Sequence, residues 1–163
     1  MLSIRPRLAF AFGLFPLLLG CQNFAAITPG TPSSALIERF GAPKVLSKNS
    51  DGSELWEYPR IPSDYQKFLI DIGVDRKVAA VRQVLAEEYF SKVRVGMSRE
   101  DVRRILGTPY EVAVFDLSGE EVWTWYYPDS PAVVLFNAHF DRASGTIRRV
   151  SRFDYLDKVM TGE

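Results

Sequence analysis

Apolar and polar positions along this chain follow two different rhythms, and the rhythm changes where glycine and proline cluster. Val102, Ile105 and Leu106 recur at i, i+3 and i+4, which places them on one face of a short helix. Ser98 precedes them as an N-cap, and Asp101, three residues later, can reach back to close a capping box. Gly107 then serves as a left-handed C′ residue, and Pro109 prevents the helix from continuing. A similar helix is expected earlier, with Thr31 as cap, Pro32 in the first helical position and Leu36 and Phe40 on its buried face. Gly41 and Pro43 end it. Helices of about two turns do not hold in water by themselves, so both must pack on something else.

The second rhythm supplies it. From Val122 to Tyr127 the positions alternate, with Trp123 and Trp125 on one face of a strand and Val122, Thr124 and Tyr126 on the other. Val134, Phe136, Ala138 and Phe140 alternate toward a core within a strand from Val133 to Asp141, and Ala143-Ser144-Gly145 turns the chain into Ile147 to Asp154. Glu111 to Phe115 leads into the turn Leu117-Ser118-Gly119-Glu120. In the first half, Leu55 to Tyr58, Phe68 to Val74 and Val78 to Leu85 follow the same scheme, and Ala86 to Val93 reads as a short helix between the halves. The expected fold class is α+β: short helices laid on small antiparallel sheets of three or four strands.

The two halves are copies. Gly30, Gly41 and Pro43 match Gly96, Gly107 and Pro109 at a constant offset of 66 residues. Gly52 and Trp56 match Gly119 and Trp123 after a one-residue shift, and Asp75-Arg76 and Asp141-Arg142 return to the offset of 66. Agreement at residues this uncommon marks a tandem duplication.

Ahead of both copies lies a different pattern. Arg5 and Arg7 precede an apolar run, Leu8 to Leu19, broken only by Gly13 and Pro16. The run is too short to span ~30 Å of hydrocarbon and has the length of a signal-peptide core. Leu18-Leu19-Gly20-Cys21 resembles the lipobox of bacterial lipoproteins. That resemblance implies cleavage before Cys21 and its acylation, with Gln22 in place of the aspartate that retains such proteins in the inner membrane. Cys21 is the single cysteine, so no intrachain disulfide can form. The 143 residues that remain carry 18 basic and 20 acidic side chains, which offers no electrostatic footprint for nucleic acid.

Gly96-Met97-Ser98, the capped helix, Leu106-Gly107-Thr108-Pro109 and the tryptophan strand together resemble the SmpA/OmlA domain of BamE-type outer-membrane lipoproteins. The resemblance runs from about Tyr89 to Asp154, with the first copy a more diverged version. It implies an αα-βββ module on the periplasmic face of the outer membrane, anchored there by lipid. The implied role is accessory to β-barrel assembly, with the barrel-assembly machinery or another periplasmic protein as partner. Two modules where one is usual also look like the secreted β-lactamase-inhibitor proteins, so a protein-binding or inhibitory role stands as the alternative. On this reading residues 1–20 are a signal peptide and 21–29 a lipidated tether. Residues 30–85 and 86–155 are then the two modules, and 156–163 a tail.

No catalytic constellation stands out. The single histidine, His139, is out of phase with the apolar face of its strand and is expected on the solvent side. It cannot build a zinc site or a nucleophile–base pair with one acylated cysteine, so neither metal nor cofactor is expected and the protein is not expected to be an enzyme. Glu87-Glu88 and Glu120-Glu121 are expected to be solvated, since neighbours on a strand point to opposite faces. Two features are candidates for contact with other molecules. Trp123, Trp125 and Tyr127 lie on an aromatic strand whose faces are either covered by packing of the modules or open to a protein partner. Arg148, Arg149 and Arg152 form a basic edge that either meets anionic lipid headgroups or guards the strand against aggregation.

Overall fold

A computed structural model describes residues 24–59, 65–129 and 132–154, so Cys21 and the segment before it lie outside the described residues. The first module consists of a 3-10 turn at Phe24–Ala26, helix α1 (Ser33–Phe40) and strands β1 (Lys44–Lys48), β2 (Glu54–Pro59), β3 (Lys67–Ile72) and β4 (Val78–Gln83). The second consists of α2 (Glu87–Phe90), α3 (Arg99–Leu106), β5 (Glu111–Phe115), β6 (Glu120–Asp129), β7 (Ala132–Asp141) and β8 (Ile147–Asp154). Each module holds one four-stranded antiparallel sheet whose strands lie in chain order, a plain meander. The fold is therefore α+β, in two tandem modules.

The duplication is visible in backbone detail. Gly30 N–H donates to the Val78 carbonyl, and Gly96 N–H donates to that of Ile147. Pro32 bridges Lys77 just before α1, as Ser98 bridges Thr146 just before α3. At α3 the expected capping box is present, with the Ser98 hydroxyl accepting from Asp101 N–H and the Asp101 carboxylate accepting from Ser98 N–H. At α1 the expectation was wrong. Pro32, not Thr31, is the cap residue, and Thr31 instead donates to the Thr28 carbonyl. Pairing of Pro32 with Lys77 holds that proline extended, so the helix starts one residue later.

Both helices end at a glycine, though not in the left-handed helical form. Gly41 lies at φ 83°, ψ −174° and Gly107 at φ 73°, ψ −161°, a region only glycine occupies without strain. The chain thus leaves each helix extended and runs directly into the first strand of its sheet. In the first module that strand is β1, absent from the reading by pattern because its positions are mostly exposed.

Each sheet has a distinct core. In the first module Leu36, Trp56, Tyr58, Phe68, Ile70, Ile72 and Val78 pack beneath α1. Phe24 joins them, stacked on Phe40 at 4.2 Å and on Phe68 at 4.9 Å, so part of the stretch expected as tether is packed on the module. In the second, Phe90, Val102 and Leu106 from the helices meet Trp123, Trp125, Tyr127, Phe136 and Phe140 from the sheet. A third cluster covers the other face of the first sheet: Leu55, Leu69 and Val84, with Leu46 and Tyr89 against them. Tyr89 belongs to α2 and also packs on the second core, so α2 links the two modules. Among the described residues no helix is long and apolar enough to cross a membrane.

Candidate functional site

The junction between modules is the most specific polar arrangement in the molecule. Glu57 lies on β2, on the face turned away from α1, and is buried. Its carboxylate accepts from the backbone N–H of Thr108 at 2.6 Å and from the Thr108 hydroxyl, just past the end of α3. Lys67, opposite Pro59 on β3, stands 3.9 Å from Glu57 and donates to the Thr108 carbonyl. Both peptide groups of Thr108 are thus satisfied by the other module. Gly107 fits because it has no side chain: a Cβ there would collide with the Glu57 carboxylate and come within 2.7 Å of the Lys67 side chain. A buried carboxylate is stable only when it is hydrogen-bonded and paired, and this one accepts two hydrogen bonds from Thr108 and is paired with Lys67. Nothing in the sequence pattern singled out Glu57 or Lys67, because the pairing joins residues 51 positions apart.

A second recurring arrangement fixes the tryptophans. Trp56 Nε1 donates to Glu54, two residues earlier, at 2.7 Å, and Trp123 Nε1 donates to Glu121 in the same way. An arginine closes each set, Arg76 on Glu54 at 3.0 Å and Arg99 on Glu121 at 3.0 Å. The Glu54 carboxyl sits below the usual range, first through the Trp56 hydrogen bond and then through Arg76. Burial pushes Glu121 up, but bonds from Arg99 and Trp123 outweigh it and hold the group below the usual range. Glu120 and Glu121 do face opposite sides of the strand, yet both are engaged, so the expectation of simple solvated charges fails.

The sequence candidates now have definite places. Trp123, Trp125 and Tyr127 are all buried in the second core, where they meet the helices of their own module. Their face of β6 is occupied from within, by the helices of their own module. The three arginines do not form one basic edge. Arg148 pairs with Asp141, Arg149 with Glu120 at 3.1 Å, and Arg152 with Glu87 at 2.8 Å. Arg152 also lies over the Phe136 ring on the helix-facing side, whereas Arg149 stands across from His139 on the opposite side. Cys21 lies outside the described residues.

His139 is on the expected face but is buried rather than solvated. Its Nε2 is 2.8 Å from the Ser151 hydroxyl and its Nδ1 is 3.5 Å from Glu120, so a row of side chains crosses β6, β7 and β8. Burial lowers the imidazole below its ordinary value, Arg149 adds to this, and Glu120 opposes it. Near neutral pH the ring is therefore uncharged, and its bond to Ser151 ties β7 to β8. Among the described residues no group of three or more His, Cys, Asp or Glu side chains gathers to hold a metal ion.

This geometry defines a class: two small α+β modules, each with a sealed aromatic core, clamped together through a buried carboxylate. Residues 83–130, from the end of β4 through α2, α3, β5 and β6, match the outer membrane protein assembly factor BamE domain. Among solved structures, the chain is similar to a provisionally assigned β-lactamase inhibitor protein of Streptococcus mutans. The identity is 16%, over 76% of this chain and 82% of that one, with a TM-score of 0.34. No curated protein sequence matches the chain significantly.

Proposed function

We propose that this protein is an outer-membrane lipoprotein on the periplasmic face, acting as a non-enzymatic accessory factor in outer-membrane protein assembly or envelope maintenance. The observation that carries this reading is the BamE-domain match over residues 83–130. It rests secondarily on Leu18-Leu19-Gly20-Cys21, whose cysteine would carry the acyl anchor; two or more chains give stable attachment where one does not. Binding would come from surfaces outside the sealed cores. Because Arg149 and Arg152 lie on opposite sides of the sheet and all three arginines are paired with acids, any contact of Arg148, Arg149 or Arg152 with anionic headgroups would be made singly and at the cost of an ion pair.

A second reading is a tandem-module binder that inhibits a periplasmic protein, and the Glu57–Thr108 clamp favours it in one respect. Fixing two modules relative to each other pre-organises an extended binding surface and lowers the entropy lost on binding. Deletion of the gene, with complementation by the intact chain or by Cys21→Ser, tests the first reading. The expected result is a reduced level of folded β-barrel proteins in the outer membrane, restored by the intact chain and not by Cys21→Ser. Unchanged barrel levels in the deletion strain would contradict it.

A further inference from the structure

Each of the two sheets has two edges, and three of the four carry devices that discourage pairing with another chain. Lysines stand at both ends of β1, and its register breaks between Val45 and Ser47. On β4 the register with β3 breaks at Asp71/Ile72, and Arg82 is held by Asp71. Along β8 lie Arg148, Arg149 and Arg152, and its register breaks at His139/Phe140. Charges and bulges of this kind are the usual protection of an exposed edge.

Strand β5 has no register break, and its single charge, Glu111, stands at its first position. Its five residues, Glu-Val-Ala-Val-Phe, pair with β6 in unbroken register from Glu111↔Thr124 to Phe115↔Glu120. Its side chains are open on both faces: Val112 is 51%, Val114 52% and Phe115 51% exposed, and Tyr110 just before it is 59% exposed. An apolar, flat, unguarded edge costs solubility unless something pairs with it.

We propose that β5 is a homodimerisation strand, pairing antiparallel with β5 of a second copy about a two-fold axis through Ala113. The sequence is complementary to itself in this register. Val112 meets Val114 of the other copy, Glu111 meets Phe115, and Tyr110 meets Asp116, so no like charges stand opposite each other. The acid at Asp116 is already matched by Arg142. Pro109, which has no N–H to donate, ends the pairing on one side, and the turn from Asp116 to Gly119 ends it on the other. A two-fold contact closes on itself and does not propagate. The joined sheet has eight strands, and its outer edges are the two arginine-bearing β8 strands, so no unguarded edge is left in the second module.

Cysteine cross-linking in the full chain separates this register from chance collision. Directly opposed strand residues have Cβ atoms about 4.5–5.5 Å apart, close to disulfide reach, so Ala113→Cys is expected to form a disulfide-linked dimer under mild oxidation. Phe115→Cys is expected to cross-link at least tenfold more slowly, because its copies would lie ~13 Å apart along the strands. A mixture of Glu111→Cys and Phe115→Cys is expected to give the heterodimer. The unsubstituted chain, with Cys21 alone, sets the baseline. In parallel, Val114→Lys, at an exposed position, is expected to halve the mass measured by sedimentation. A monomeric Ala113→Cys chain, equal cross-linking at positions 113 and 115, or Ala113→Cys captured by a different protein would overturn the proposal.

Discussion

Position 139 shows how one residue can be placed correctly and still be misjudged. Alternation along β7 puts His139 opposite Phe136 and Phe140, and the structure agrees, but the far face of this sheet is not water. Ser151 bonds one ring nitrogen and Glu120 stands 3.5 Å from the other, on neighbouring strands and 12 and 19 positions away in the sequence. The consequence can be measured as a pH effect. Burial, with Arg149, lowers the folded-state pKa of His139 below its unfolded value, so the unfolded chain binds the proton first. Stability is full above the unfolded value of ~6.5 and falls as pH drops through the window between the two values. Thermal or urea unfolding at pH 7.5 and 5.5 should therefore show a loss at the lower pH, and His139→Gln should abolish most of it. Glu54, Glu120, Glu121 and Asp141, held below the usual carboxylate range, act with the same sign only at more acid pH. An equal pH dependence in His139→Gln would mean that other groups dominate.

Among the elements, what could be read from the chain was whatever repeats locally. The capping box at Ser98, the apolar face of α3 and the alternation along β6 and β7 are all contained within a few residues, and each was legible. Strand β1 was missed because its exposed edge position relaxes the alternation that betrays β2 and β3. The aromatic residues of β6 were legible as a strand, but whether their face was filled by helix or by partner depends on tertiary packing. The duplication gives a controlled comparison of the two helix ends. Gly41 and Gly107 share the same backbone conformation, so alanine strains both by about 1–3 kcal/mol. At Gly41 the added methyl meets open space, whereas at Gly107 it meets Glu57 and Lys67. Gly107→Ala should therefore cost at least about 1–3 kcal/mol more than Gly41→Ala, since it also displaces the hydrogen bonds to Thr108. Calorimetry of the two variants decides the matter, and equal losses would show that the clamp contributes little.

For the whole molecule, the clamp and Tyr89 make one body of two modules that the chain could otherwise have left as beads on a linker. Glu57, Lys67 and Thr108 were not legible as a set because a polar contact between copies leaves no periodic trace in either one. Function is still less legible, for fold is shared among proteins of different roles. In the role proposed above, this two-module body works beside the machinery that assembles outer-membrane proteins. The most direct test is in-cell cross-linking followed by affinity purification of the full-length chain from gently solubilised membranes, with mass spectrometry of what accompanies it. The expected result is enrichment of the barrel-assembly subunits over abundant outer-membrane proteins. Enrichment of a soluble periplasmic protein in their place, with no assembly subunit above background, would contradict it.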